Sequence, residues 1–206
     1  MKSAVSHSRL KRIVKQRPAI SQCKGWLVIA VFFLSLLSLP VVAGVTGATG
    51  NLSTGLLKDF DGSFHTLDEY TGKGQWTVVM IWASDCHACN VEAKQYVKFH
   101  QAHKDTDARI LGISMDGMEK KQEAEKFIER HEVTFSNLIE TPEKVEALYS
   151  SLTGQAFVGT PTFLIYSPTG ELRAAQVGAV PTHIIESFIE KESGKESTKK
   201  KYKVER

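Results

Sequence analysis

One stretch constrains this chain more than any other. Trp76 to Ala83 (WTVVMIWA) is an almost unbroken apolar run, and two residues later comes Cys86-His87-Ala88-Cys89. A run of that length reads as a strand buried on both faces. Helix-forming sequence follows, from about Cys86 to His103. The cysteine pair therefore stands where a buried strand turns into a helix. Free N–H groups and the helix dipole at that point favour an anion. A thiolate at Cys86 is stabilised there, so its pKa falls below the free value of about 8.5. Cys89 lies one turn deeper and is placed to resolve a mixed disulfide.

The rest of the map extends this pattern. Leu56–Phe60 and Ser63–Thr66 flank Asp61-Gly62, a short hairpin signal. Arg109–Ser114 reads as a second buried strand. Ala124, Phe127, Ile128 and His131 share one helical face. Glu143–Ser151 reads as a helix with Pro142 at its start. Thr162–Tyr166 and Glu171–Val177 read as strands joined by the turn Ser167-Pro168-Thr169-Gly170. Thr182 is expected to cap a last helix that faces Ile185, Phe188 and Ile189 inward. Phe60, Phe64, Phe163 and Trp82 are expected in the core. The predicted class is α/β, a mixed sheet with helices on both faces.

Charge is divided along the chain. Of 206 residues, 26 are Lys or Arg and 23 are Asp or Glu, a net charge of +3. Residues 1–25 hold seven of the basic residues and no acid, which leaves 19 basic against 23 acidic residues beyond them. A basic nucleic-acid-binding domain is excluded on that division. No charge occurs between Gly25 and Leu57, and Trp26–Ala43 is an 18-residue apolar run. It is just long enough to cross a bilayer. The positive-inside rule sets residues 1–25 in the cytoplasm and the remainder outside. Two readings stay open for residues 26–43: a retained transmembrane anchor, or the h-region of a signal peptide cut near Ala43. Residues 44–52 read as a linker, 53–192 as the folded domain, and 193–206 as a disordered charged tail. Three cysteines are too few for a disulfide-stapled scaffold.

Metal chemistry has one pattern to offer. Cys86, Cys89, His100 and His103 approach a zinc-finger spacing. One continuous helix would carry His100 about 16 Å from Cys89 along its axis, beyond the reach of one ion. The two histidines read instead as a solvated helix end, and no metal is expected.

Pro161, in Gly159-Thr160-Pro161-Thr162, enters a strand where proline is normally an edge or turn residue. Its position invites a cis Thr160–Pro161 bond. With WTVVMIWASDCHACNVE, GTPTFLIYSPTGEL and an insertion between the central strand–helix units, the chain resembles the thioredoxin superfamily. Within it the likeness is to membrane-tethered or exported TlpA/ResA/DsbE-like thiol–disulfide oxidoreductases, over about residues 53–192. The resemblance implies a thioredoxin-like fold with an N-terminal hairpin and a TlpA-like central insertion. It implies Cys86 as attacking thiol, Cys89 as resolving thiol and Pro161 as the cis-proline beside them. His87, Ala88 and Thr160 are expected to meet the substrate. Glu92 completes C-x-x-C-x-x-E, where relatives carry an acid thought to tune the thiols. On residues alone, Glu92 is either a base toward Cys89 or a complement to the helix dipole.

Asp85 stands where the family often has Trp, and is expected to cap the helix. The expected activity is dithiol–disulfide exchange with exported proteins, without metal, nucleotide or flavin. By resemblance the direction is reductive, as in cytochrome c maturation, with electrons from a membrane donor. A disulfide oxidase or isomerase of the same fold, or a non-catalytic thiol or copper-binding chaperone, are the alternatives.

Overall fold

A computed structural model describes residues 11–12 and 55–204, with side chains over 55–194. The anchor or signal run 26–43 and the linker 44–52 lie outside those described residues.

The strands are β1 (Lys11–Arg12), β2 (Leu56–Asp59), β3 (Phe64–Thr66), β4 (Trp76–Trp82), β5 (Ala108–Ser114), β6 (Ser136–Ile139), β7 (Thr162–Tyr166) and β8 (Leu172–Val177). The helices are α1 (His87–His103), α2 (Lys121–Arg130), α3 (Pro142–Thr153) and α4 (Thr182–Val204). Among the described residues the strands make one sheet, ordered β1-β8-β7-β4-β5-β6-β2-β3. β4, β5 and β6 are parallel, while β7 runs antiparallel to β4 and β8 antiparallel to β7. The β2–β3 hairpin joins the far side through an antiparallel β2–β6 pair. This is the mixed sheet of a thioredoxin-like fold, with α2, β6 and α3 lying between β5 and β7 in the chain.

β4 explains why its sequence carries no polar alternation. Every residue in it is buried. Trp76, Val78, Met80 and Trp82 join one core with Ala93, Tyr96 and Phe99 of α1 and Ile185 and Ile189 of α4. Val79 and Ile81 point the other way, into a second core with Val145, Leu148 and Tyr149 of α3. A central strand covered on both faces has no solvent side on which to place a polar residue.

Several expectations need correcting. β6 was not expected as a strand: Ser136-Asn137-Leu138-Ile139 is short, and only its last two residues are fully buried. Phe64 is 60% exposed rather than in the core. It lies on edge strand β3, and the Lys58 ammonium sits 5.6 Å above its ring. Phe60 packs against the first core only in part, whereas Phe163 is wholly buried. Thr182 is already within α4, whose first turn closes from the Ile184 N–H to the Pro181 carbonyl at 2.9 Å. Nor does the domain stop at residue 192: α4 runs on to Val204 through the segment expected to be disordered. Glu192 is buried and paired with Arg173, and the Trp76 Nε1–H donates to Ser193 Oγ at 2.9 Å. Those contacts hold the helix to the sheet past the predicted boundary, and Glu and Lys beyond it are good helix formers. Lys11 and Arg12 pair antiparallel with Ala175 and Ala174 of β8. That sets Lys11 and Arg12 of the basic segment along the β8 edge. The open backbone edge of β8 supplies the partner.

Candidate active site

The cysteine pair is built by the end of β4 and the start of α1. After Trp82 the chain turns through Ala83, Ser84 and Asp85, and Cys86 becomes the N-cap residue of α1 with extended backbone (φ −72°, ψ 112°). Its sulfur accepts the Cys89 N–H at 3.1 Å. Asp85 is exposed and is not the cap; Cys86 takes that role itself. Cys86 and Cys89 are joined in a disulfide with their Cα atoms 5.2 Å apart. Burial separates the two sulfurs' surroundings. Cys89 is wholly inside, packed in the first core, whereas Cys86 is only partly covered. A partner can reach the outer residue and not the inner one. In the reduced state the same N–H and the helix dipole would stabilise a thiolate on Cys86.

Pro161 enters from the other side of β4. The Thr160–Pro161 bond is cis. The β4–β7 ladder pairs Ile81 with Thr162, so the next step of that register sets Pro161 opposite Trp82, four residues before Cys86. Pro161 is buried and its carbonyl accepts the Gly178 N–H at 2.8 Å. Thr160 is half-buried just outside it. On the cysteine side, His87 is exposed and Ala88 half-buried.

Two polar groups that the sequence did not single out hold the turn before Cys86. Asp116, just past β5, accepts the Ser84 N–H at 3.0 Å and the Ser84 hydroxyl at 2.8 Å. Ser114 Oγ donates to the same carboxylate at 2.7 Å. Asn90, next after Cys89, donates from its amide to the carbonyls of Ser84 and Cys86. Asn90 could have been suspected from its place beside the pair. Asp116 gave no signal, because nothing in the sequence says that the ends of β4 and β5 lie side by side.

Glu92 sits half-buried on α1 and accepts from the Gln95 side-chain amide. Gln95 Oε1 in turn accepts the Thr182 N–H at 3.2 Å, linking α1 to the start of α4. Tyr96, one residue on, donates its hydroxyl to the Val180 carbonyl at 3.0 Å and accepts the Val180 N–H at 3.2 Å. Burial pushes its phenol well above the ordinary range. At the far end of α1, His100 is not the solvated residue expected. It is buried, and its Nδ1 accepts the Ile110 N–H at 3.1 Å. Burial lowers its pKa, the direction that suits an Nδ1 accepting a hydrogen bond. His103 bonds Asp107 at 2.8 Å and stacks on Phe99. The two histidines and the cysteine pair are at opposite ends of one unbroken helix.

A buried strand, a disulfide-bonded cysteine pair at the start of the following helix and a cis-proline at the adjoining strand are the features of a thioredoxin-fold thiol–disulfide oxidoreductase. The chain belongs to the AhpC/TSA family, whose description matches residues 54–175. It is similar to sporulation thiol-disulfide oxidoreductase A of Bacillus subtilis (strain 168), with 24% identity over 119 residues, 57% of this chain and 68% of that protein. It is also similar to the thiol-disulfide oxidoreductase ResA of Geobacillus kaustophilus (strain HTA426), with 28% identity over 136 residues, 66% of this chain and 72% of that one. The fold matches the thioredoxin domain of a thiol-disulfide oxidoreductase from Bacteroides vulgatus with a TM-score of 0.54 and 23% identity, over 65% of this chain and 91% of that domain.

Proposed function

We propose that this chain reduces disulfides in exported proteins, at the outer face of a bacterial inner membrane or in the periplasm. The observation that carries the reading is the unequal burial of a bonded cysteine pair whose outer member caps a helix. In the reduced protein the Cys86 thiolate attacks one sulfur of a substrate disulfide. The substrate bond breaks and its second sulfur leaves, taking up a proton. Cys89, deprotonated, then attacks Cys86 Sγ, and the first substrate sulfur leaves as a thiol. Two electrons pass to the substrate and the Cys86–Cys89 disulfide remains. No metal, nucleotide or flavin takes part. A membrane dithiol donor restores the pair. Apocytochrome c is the kind of substrate that needs this.

Pro161, opposite Trp82 in the β4–β7 register, shapes the place where substrate backbone docks, and Thr160, His87 and Ala88 meet the substrate with it. Val158, 77% exposed and three residues before Pro161, adds apolar surface for a protein partner. Glu92 serves as a proton acceptor on the Cys89 side of the helix.

Reduction of insulin by the dithiol form tests the activity. Cys86→Ser abolishes it, and Cys89→Ser accumulates a mixed disulfide with substrate; full activity in both variants overturns the reading. The direction is tested by equilibration with glutathione. A reductant lies near the potential of thioredoxin, about −270 mV, and an oxidant near that of DsbA, about −120 mV. Thiol titration of Glu92→Gln tests the last role: unchanged cysteine pKa values leave Glu92 as a dipole residue only.

A further inference from the structure

We propose that Asn90 is a positioning residue: its carboxamide straps the turn carrying Cys86 to the end of α2 and so sets the acidity of the Cys86 thiol. The role rests on Cys86 being the attacking thiol.

The strap uses the whole of the side chain. Asn90 Nδ2 donates to the Ser84 carbonyl at 3.0 Å and to the Cys86 carbonyl at 2.9 Å, which occupies both of its hydrogens. Its Oδ1 faces His131 Nε2 at 2.9 Å and Arg130 NH1 at 3.3 Å. The amide has only one sensible orientation. Turned over, it would set NH2 against a guanidinium and an oxygen against two carbonyls. His131 therefore donates from Nε2. Both the neutral Nε2–H tautomer and the imidazolium carry that hydrogen, so the strap does not hang on the protonation of His131. Burial first, and then the charges of Arg130 and Lys94, lower the pKa of this histidine.

The consequence for Cys86 is geometric. Its carbonyl accepts twice from Asn90, from the side chain and from the backbone N–H at 3.1 Å. The turn is also gripped from the sheet side, where Asp116 holds Ser84. While the disulfide is closed, a covalent bond ties Cys86 to the helix. When it opens, that tie is gone, and the Asn90 strap contains no sulfur and persists. The Cys86 sulfur is then kept over the Cys89 N–H, and the two nearby carbonyl oxygens stay engaged by the amide instead of facing the thiolate. The charged or titratable residues around the turn are Asp85 before Cys86, His87 and Lys94 on α1, Asp116 after β5, and Arg130 and His131 at the end of α2. Asn90 is thus the link by which helix α2 acts on the redox pair.

The test is the pH dependence of Cys86 alkylation in the reduced full-length chain, mapped by peptide mass. Asn90→Ala should raise the midpoint by about one pH unit, an alkylation rate about tenfold lower at pH below both midpoints. His131→Leu should move it the same way by less, and His131→Gln, which keeps a donor, should restore much of the shift. The His131 pair decides the matter if Asn90→Ala does not fold. An unmoved midpoint in folded Asn90→Ala, or equal behaviour of His131→Leu and His131→Gln, overturns the strap while leaving the attacking role of Cys86 intact. Alkylation of Cys89 ahead of Cys86 overturns the attacking role, and the strap's purpose with it.

Discussion

Gly112 lies in β5 where Asn137 of β6 reaches across to accept the Trp82 indole N–H at 3.0 Å. A Cβ at Gly112 would come within 1.8 Å of Asn137 Oδ1 and 2.9 Å of Trp82 Nε1. Gly112→Ala should therefore destabilise the fold by about 1–3 kcal/mol and disturb Trp82 fluorescence, both read in a denaturant titration. Trp82 stacks on Phe127 at 4.2 Å, so its displacement would also reach α2. His65 gives a pH-dependent case. Its Nδ1 bonds Glu69 at 2.8 Å and its Nε2 bonds Asp59 at 3.1 Å, so both ring nitrogens face carboxylates. The bond to Glu69, then that to Asp59, raises the His65 pKa, and the bonds from His65 lower those of both acids. The raised histidine contributes stability that is complete below about pH 6.5 and is lost as pH climbs through its folded value. The lowered acids contribute stability present above about pH 4.5 and lost as pH falls through theirs. In thermal melts His65→Gln should thus lower Tm more at about pH 5.5 than at about pH 9. At this scale Cys86 and Cys89 were legible because they are neighbours in sequence. Asp116 and His131 were not, since their partners Ser84 and Asn90 meet them only through tertiary structure.

Helix α1 carries the cysteine pair at its start and packs into the first core through Ala93, Tyr96 and Phe99. Tyr96 makes two hydrogen bonds to Val180, between β8 and α4. Tyr96→Phe leaves the Val180 N–H and carbonyl without that partner and should cost about 1–3 kcal/mol, measured by chemical denaturation. The elements themselves were largely readable. β4 announced itself by an apolar run, and α1 by its position after it. β6 did not, because four residues beginning Ser-Asn carry no periodic signal, and their strand character comes from pairing with β5. Phe64 was misplaced for the complementary reason. Alternation identifies a strand but does not say that it will lie at the sheet's edge, with a face left open. Polar composition does not end the last helix, because Trp76 and Arg173 hold Ser193 and Glu192 in place.

For the whole molecule, the relation to test is that between domain and membrane. The apolar run 26–43 directs the proposal of export, and β1 pairs residues of the preceding basic segment with β8. Residues 26–43 allow two arrangements, a retained anchor or a signal run cut near Ala43. Alkaline carbonate extraction and N-terminal sequencing distinguish the arrangements. A retained anchor leaves the intact chain in the membrane pellet, and a mature protein starting near Gly44 excludes the anchor. By itself the sequence determined the buried central strand, the cysteine pair at a helix start and the mixed α/β class, since each is written in local periodicity or in residues a few positions apart. Only the tertiary structure decided which cysteine is covered, that Pro161 adjoins Trp82, and that Asp116, Asn90 and His131 converge on the Cys86 turn. Those relations depend on strand order and helix packing, which bring together groups about forty residues apart in the chain, as Asn90 and His131 are, or about eighty, as Trp82 and Pro161 are.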